Sequence, residues 1–209
     1  MAINMAHLIL IRHGESLWNA KGVWTGLTDI SLSEKGKEEA RTAGASLKNT
    51  KIDIAFTSAL KRAKETLSEI KKTLNLNSLP TIESKALNER DYGYLTGKNK
   101  WEIEKEVGDK MFLKIRRGWN TPIKNGETLK DVYERVVPYY QTVISPKLKD
   151  GKNVLIVAHG NSLRALVKYL ENISDHGVET LEIATGEIYV YEANINGTII
   201  SKKKIGAYR

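Results

Sequence analysis

The chain has 209 residues, of which 41% are hydrophobic and none is cysteine, so a buried core is feasible, whereas disulfides, thiolate nucleophiles and cysteine-based zinc sites are excluded. Its net charge of +8 comes from basic residues that are scattered among acidic ones, a distribution that does not favour nucleic-acid binding. No apolar run reaches the ~18 residues of a membrane span and no secretion signal is visible, so we expect a cytoplasmic protein without membrane partners.

Short apolar runs alternate with helical patterns in the first part of the chain. Leu8–Ile11 is an apolar run that indicates a buried strand. Ser33 is a suitable N-cap for a helix whose apolar residues recur on one face up to about Lys48. The elements predicted here are strands over residues 8–11, 52–56 and 81–83 and helices over residues 33–48 and 59–74.

The second part of the chain begins with a less regular stretch from Lys85 to Gly126, in which we predict one helix, over residues 100–107. A strong helical pattern starts at Thr128, and Pro138 should kink it or lie near its end. A strand over residues 154–157, a helix over residues 161–171 and late strands near Ile188, Val190 and Ile199 follow. This alternation predicts an α/β fold with a mostly parallel central sheet and helices on both faces, in a single domain spanning residues 1–209.

Two segments of the chain repeat one pattern. Residues 8–16 and 154–162 each consist of an apolar strand followed by His-Gly-x-Ser, which contains His13 in the first case and His159 in the second. Ligands of open α/β sheets bind beyond the carboxyl ends of the strands, so we expect both histidines at that edge. The glycine after each histidine is expected to let the backbone approach a ligand closely.

A third strand leads to the same edge, because the strand over residues 52–56 is followed by a helix whose first turn contains Arg62. Arg12, His13, Arg62 and His159 could therefore share one pocket. Arginine binds phosphate oxygens, and neighbouring cations lower a histidine pKa, which leaves a ring nitrogen free to attack phosphorus. A single histidine at a strand end is usually structural, but two in the same setting beside two arginines favour phosphoryl transfer.

Other features of the sequence carry no comparable support. His7 and His176 lack a chemical context, and we interpret both as structural or exposed. We interpret the run Lys202–Lys204 as a solvated tail. The sequence contains no HExxH motif, EF-hand loop or Walker A motif, so we expect chemistry without a metal.

The segment Arg12–Ser16, Arg-His-Gly-Glu-Ser, resembles the phosphohistidine motif of the histidine phosphatase superfamily. Further segments narrow the resemblance to the bisphosphoglycerate-dependent phosphoglycerate mutase branch, and together they extend from about His7 to about Tyr191. These segments are Trp18–Asn19, Trp24–Gly26, Leu32–Gly36, Thr57–Ala63, Leu87–Arg90, Tyr92–Gly93, Gly97 with Asn99–Lys100, Arg116–Arg117 and His159–Ala165.

The resemblance implies a role for individual residues. His13 would carry the phosphoryl group, and Glu89 would be the general acid and base for the substrate hydroxyl. Arg12, Arg62 and His159 would bind and polarise the phosphoryl group, assisted by Asn19, Gly160 and Asn161. The substrate carboxylate and second phosphate would be held by Arg90, Tyr92, Lys100, Arg116 and Arg117, and the glycerate end would be lined by Ser16, Thr25 and Gly26.

The implied reaction interconverts 3-phosphoglycerate and 2-phosphoglycerate, with 2,3-bisphosphoglycerate as the priming phosphate donor and cofactor. Two alternatives are a phosphomonoesterase of the same superfamily and a phosphate-binding module without catalysis. Without the resemblance, Glu89 would be interpreted as the partner of Arg90 in a surface ion pair. The chain is shorter than longer family members over residues 118–125 and near its C-terminus, which bears on closure of the site and on assembly, so both monomer and homo-oligomer remain open.

Overall fold

The computed structural model describes residues 5–205, which form a six-stranded sheet in the order β3-β2-β4-β1-β5-β6 with helices packed against it. The strands are β1 Ala6–Arg12, β2 Ile54–Ser58, β3 Thr81–Ser84, β4 Val154–Ala158, β5 Ile188–Ala193 and β6 Ile199–Ile205. The α-helices are α1 Leu17–Ala20, α2 Glu34–Ser46, α3 Lys61–Thr73, α4 Lys100–Val107, α5 Asp109–Arg117, α6 Leu129–Tyr139, α7 Ser145–Lys149 and α8 Gly160–Leu170. Short 3₁₀ turns cover Lys85–Leu87, Gly93–Leu95 and Gly177–Glu179, and a π-helix covers Tyr140–Ile144.

The centre of the sheet is parallel. β1 pairs with β4 and β4 pairs with β2 in parallel, and β3 extends this parallel part beyond β2. β5 runs antiparallel to β1, and β6 runs antiparallel to β5. The last residues of the two central strands, Arg12 and Ala158, are register partners, so the residues that follow them lie side by side at one edge. The predicted fold, a mostly parallel sheet, is confirmed.

Each face of the sheet is covered by its own helices. Leu8 and Leu10 of β1 belong to the core cluster that includes the buried residues of α6 and α8. Ile9 and Ile11 point the other way and belong to the cluster that includes the buried residues of α2 and α3. This alternation follows from the side-chain period of two residues along a strand, and it makes the central strands apolar throughout.

Helix starts follow from local hydrogen bonds that the sequence indicates. Ser33 is the N-cap of α2, and its hydroxyl accepts from the amide of Gly36 at 3.1 Å. Thr128 begins α6 in a capping box with Asp131. Pro138 lies inside α6, which passes into the π-helix directly after it, as expected for a residue that provides no amide hydrogen to the helical ladder.

Three expectations need correction. β2 begins two residues later than predicted and continues to Ser58, because Thr57 and Ser58 are buried and pair with β3. The stretch of residues 85–126 contains a second helix, α5, in addition to the predicted α4. Lys202–Lys204 are not a tail but belong to β6, where the run of lysines occupies an edge strand. Within residues 5–205, none of the helices has both the length and the apolar character needed to cross a membrane.

Candidate active site

Two adjoining depressions lie at the carboxyl edge of the parallel strands, and we refer to them as the inner and the outer depression. Both are lined by Arg12, Trp24, Glu89, Tyr92 and Lys100. The inner depression is completed by His13, Asn19, Thr25, Gly26 and Arg62. The outer depression is completed by Arg116, Arg117, Gly160, Asn161, Arg164, Glu182 and Ile183.

His13 follows β1 directly, and its position is fixed by the backbone. Its amide donates to the carbonyl of Ala158 at 2.9 Å, which continues the pairing of β1 with β4 by one residue. The side-chain Nδ1 lies 2.6 Å from the carbonyl oxygen of Gly14. Because a carbonyl only accepts, Nδ1 carries the hydrogen, and Nε2 of the neutral ring keeps its lone pair. A nucleophilic nitrogen is therefore available at the wall of the inner depression.

The surroundings of His13 keep its ring neutral. The pKa of His13 lies well below its ordinary value, mainly because the ring is buried and further because the cations Arg62 and Arg12 are nearby. The hydrogen bond to Gly14 acts in the opposite direction but does not cancel the first two effects. A buried imidazole beside two guanidinium groups thus remains unprotonated at neutral pH, as nucleophilic attack requires.

His159 follows β4, and its ring lies edge-on to that of His13 with the centroids 4.9 Å apart. Its Nε2 is 2.6 Å from the hydroxyl oxygen of Ser58, the last residue of β2. Burial lowers the pKa of His159 well below its ordinary value, and Arg62, His13 and Arg12 add to this effect. Nδ1 of His159 is buried without a hydrogen-bond partner in the described part of the chain, so an incoming anion could satisfy it.

Arg12 and Arg62 are held in place by backbone carbonyls, which leaves their charge without a carboxylate partner in residues 5–205. Arg62 donates to the carbonyls of Gly26 and Thr28 at 2.9 and 3.0 Å, and Arg12 donates to that of Ile183 at 2.6 Å. Burial lowers the pKa of Arg62 to about 10, which still leaves it charged at neutral pH. Two positioned cations therefore lie near His13.

Glycines at this edge of the sheet allow close packing and a special backbone conformation within the protein itself. A Cβ on Gly14 would overlap the carbonyl of Gly36 in α2, so Gly14 allows a close approach of two backbone segments. A Cβ on Gly160 would only be in ordinary contact with the Arg12 guanidinium, at 3.5 Å. Gly26 has φ of +52°, a conformation that favours glycine, and its carbonyl is one of the two that hold Arg62. At Gly14 the close approach that the structure shows is to the backbone of Gly36, and the expected approach of a ligand stays a prediction at both glycines.

Glu89 lies where the two depressions meet, and it is buried, with 8% of its surface exposed. Its Oε1 accepts from the amides of Arg90 at 2.8 Å and Asn161 at 3.1 Å. Among residues 5–205 it forms no ion pair, which argues against the interpretation as a surface partner of Arg90. A carboxylate that is fixed by one oxygen at the junction is well placed to exchange a proton with a bound hydroxyl.

The outer depression is rich in cations that come from helix ends. Lys100 starts α4 and lies 5.7 Å from the centroid of the Trp24 ring. Burial lowers the pKa of Lys100 to about 8, and the cations Arg116 and Arg12 contribute. Arg116 and Arg117 end α5. Burial, followed by the charge of Arg117, lowers the pKa of Arg116. Mutual repulsion among these groups favours an anion between them.

Three predicted site residues line neither depression: His159, whose ring lies against that of His13, and also Ser16 and Arg90. Ser16 is buried and forms the N-cap of α1, where its hydroxyl donates to Oδ1 of Asn19 at 2.9 Å. Arg90 is buried behind the Tyr92 ring, with its guanidinium 4.5 Å from the ring centroid, and it donates to the carbonyl of Ile115 at 2.6 Å. Ser16 and Arg90 therefore position neighbours that do line the site, which differs from the direct contact expected for them.

Three further residues belong to the site and received no role from the sequence. Arg164 lines the outer depression three residues after Asn161, to which it donates at 2.9 Å, and this helical spacing is the signal that could have identified it. Ser58 holds His159, and Glu182 forms an ion pair with Arg117 at 2.6 Å. His7 and His176 line neither depression. No cluster of three or more metal-ligating side chains occurs within residues 5–205.

The chain is similar to known proteins over most of its length. The family model described as histidine phosphatase superfamily (branch 1) matches residues 8–205. A 2,3-bisphosphoglycerate-dependent phosphoglycerate mutase of Cytophaga hutchinsonii is 47% identical over 90% of this chain and 88% of its own length. The protein of the same name from Chelativorans sp. (strain BNC1) is 48% identical over 94% of this chain and 96% of its own length. The structure of YhfR from Bacillus stearothermophilus is similar with a TM-score of 0.81 at 27% identity, covering 93% of this chain and 94% of that one.

Proposed function

The chain belongs to the histidine phosphatase superfamily (branch 1), and we propose that it interconverts 3-phosphoglycerate and 2-phosphoglycerate through a phosphohistidine at His13. The observation that carries this proposal is the pair of adjoining cationic depressions that meet at Glu89. A phosphatase needs only the inner depression, because water accepts the phosphoryl group. A mutase must also retain the other end of an anionic substrate, and the outer depression supplies cations for that purpose.

In the first step, Nε2 of His13 attacks phosphorus, the bond from phosphorus to the leaving oxygen breaks, and the bond from Nε2 to phosphorus forms. The hydrogen bond from Nδ1 to the Gly14 carbonyl stabilises the positive charge that develops on the ring. Arg12 and Arg62 balance the charge of the phosphoryl oxygens, and His159 can donate to one of them through Nδ1. Glu89 donates a proton to the leaving oxygen.

The second step reverses the first at a different oxygen. Glu89 accepts the proton of the substrate hydroxyl, whose oxygen attacks phosphorus while the bond to Nε2 breaks. Arg116, Arg117 and Lys100 hold the anionic groups at the end that does not react, so that the product of one transfer stays in the site until its other phosphate faces His13.

2,3-Bisphosphoglycerate is the priming compound, since it supplies the first phosphoryl group to His13. Its two phosphates and one carboxylate match two adjoining depressions that are both cationic. Buried polar atoms without partners in residues 5–205 support this fit, because they belong to residues on both sides of Glu89: Thr25 Oγ1 on the inner side and Arg164 Nε on the outer side.

A coupled enolase assay with 3-phosphoglycerate, with and without 2,3-bisphosphoglycerate, tests the proposal. We expect turnover that depends on the primer, persists in excess EDTA and exceeds the release of inorganic phosphate. Phosphate release without 2-phosphoglycerate formation would establish the phosphomonoesterase instead, and the absence of both activities would favour a binding module. We further propose a metal-independent cytoplasmic enzyme whose partners are phosphoglycerates and not nucleic acids.

A further inference from the structure

The segment Leu181–Ile183 runs along the outer depression and contacts two arginines: Arg12, which lines both depressions, and Arg117, which lines the outer one. The carbonyl of Ile183 accepts from Arg12 at 2.6 Å, and that of Leu181 accepts from Arg117 at 3.3 Å. Between them, the carboxylate of Glu182 pairs with Nη2 of Arg117 at 2.6 Å. Of these three contacts, only the one made by Glu182 is charged.

Glu182 is an unusual residue for its location, because it places an acid in a depression that would receive an anion. Its hydrogen bond with Arg117 lowers the pKa of its carboxyl, and the charges of Arg117, Arg116 and Arg12 add to this effect, so it is ionised at neutral pH. Its side chain is 65% exposed, whereas that of Arg117 is 21% exposed. The carboxylate can therefore move into water while the guanidinium stays where the Leu181 carbonyl holds it.

We propose that Glu182 is a specificity-determining residue that competes with the substrate for Arg117. Its carboxylate occupies the guanidinium until the anionic group at the non-reacting end of a phosphoglycerate displaces it. The proposal rests on the proposed function, which requires an anionic end in the outer depression. When the substrate displaces the Glu182 carboxylate, the ion pair with Arg117 is lost. The net affinity of the outer depression for the substrate is therefore lower than its cations alone would give.

This competition suits a reaction in which the bound molecule has to turn. Cations without a counter-ion would hold a doubly charged group strongly and slow its release from Arg117. A carboxylate that returns to Arg117 stabilises the arginine each time the substrate end leaves. If Glu182 instead only positioned Arg117, its removal would weaken substrate binding, so the two roles predict opposite changes in affinity.

The test compares Glu182→Gln with the unaltered protein by calorimetric titration with 3-phosphonopropionate, which has a carboxylate and a phosphonate but no transferable phosphoryl group. We expect Glu182→Gln to bind it about three- to tenfold more tightly. The substitution removes both the exposed ion pair that competes for Arg117 and the repulsion between the Glu182 carboxylate and the ligand. Binding of inorganic phosphate, which needs only the inner depression, should be unchanged. In the enolase-coupled assay, the KM for 3-phosphoglycerate should fall by a similar factor without a rise in kcat.

Glu38→Gln is the matched control, because Glu38 pairs with Arg41 at 2.7 Å on α2 and lines neither depression. It removes the same charge and should leave both titrations unchanged. Unchanged or weaker binding of 3-phosphonopropionate by Glu182→Gln would overturn the proposal, and Glu182→Ala should agree with it in direction. Because the titration requires no turnover, failure of mutase activity in the unaltered protein would count against the proposed function alone.

Discussion

The inner and outer depressions adjoin, but they are built in different ways. His13 of the inner side and His159, whose ring lies against it, directly follow two paired strands, and both are buried. Arg116 and Arg117 of the outer side, and Lys100, which lines both depressions, stand at the ends of α5 and α4, outside the sheet. The groups proposed to react are thus part of the core, whereas the groups proposed to retain the substrate are attached to its periphery.

The difference also concerns what holds each arginine. Arg62 is fixed by two carbonyls and is 1% exposed, so its position hardly depends on any charged neighbour. Arg117 is fixed by one carbonyl at 3.3 Å and by the exposed carboxylate of Glu182. Preorganised groups accelerate the chemical step because they need no rearrangement, whereas adjustable groups suit a ligand that has to turn. Substitutions on the two sides should therefore change different kinetic constants.

The largest effect is expected for His13→Ala, which removes the proposed nucleophile of the inner side. Turnover should fall by at least about 10⁴-fold, as is typical when a covalent nucleophile is removed. Incubation with labelled 2,3-bisphosphoglycerate should give an acid-labile, base-stable label on the unaltered protein and none on the variant. His176→Ala, at a side chain that is 94% exposed, is the control and should retain the label. A label that survives His13→Ala would identify a different nucleophile.

Glu89→Gln should have the next largest effect, because an amide keeps the size of the side chain but cannot exchange a proton. We expect kcat to fall by about 10²- to 10⁴-fold, the usual contribution of general acid–base catalysis, with little change in KM. Glu83→Gln on β3 removes the same charge at an exposed position and should be neutral. Single-turnover kinetics should show that the phosphoryl-transfer step is the one that slows. A near-normal rate of transfer would indicate that Glu89 has only a structural role.

The sequence predicted the inner side better than the outer side for a physical reason. An apolar strand followed by His-Gly-x-Ser is a local pattern, and the parallel register of β1 and β4 brings the two copies together. Glu182 could not be found in this way, because it lies in a loop. Its place in the site depends on a contact with Arg117, which is 65 positions away in the chain. Arg164 belonged to a recognised motif, but its contact with the α5 end of the site, a hydrogen bond to the carbonyl of Arg117 at 2.8 Å, joins residues that are distant in the chain.

Burial also gives different roles to neighbouring residues that look similar in the sequence. Glu89 and Arg90 are adjacent and charged, yet the first lines both depressions and the second lies behind Tyr92. Ser58 was not predicted as a site residue because the apolar pattern of β2 ends before Thr57, although both residues are buried in the strand. Sequence periodicity reports which face is apolar, but it does not report which polar side chains the core encloses.

On the outer side, Arg116→Ala should weaken substrate binding without removing the chemistry. The loss of one charge-assisted contact, about 1.5–3 kcal/mol, corresponds to an increase in KM of about ten- to a hundredfold. Phosphorylation of His13 by a small phosphate ester should persist, and the ratio of hydrolysis to mutase turnover should rise as the intermediate escapes. Lys114→Ala removes an exposed charge from the same helix outside both depressions and is the control. If the ratio of hydrolysis to mutase turnover and the KM were both unchanged, Arg116 would be a solvated surface residue without a role in substrate binding.

The smallest effect is expected in the pH dependence of kcat/KM, where the titration of Lys100 should produce a bend. The pKa of Lys100 is lowered to about 8, mainly by burial and then by the charges of Arg116 and Arg12. Above this pH the amine is neutral and attracts the substrate less, so kcat/KM should have fallen about twofold at pH 8 and should continue to fall at higher pH. The bend in kcat should lie at higher pH, because a bound anion favours the charged amine. Lys100→Arg should remove the bend. Arg116→Ala should shift it upward, since one of the cations that lower the pKa is then absent; a bend that stays in place would assign the titration to another group.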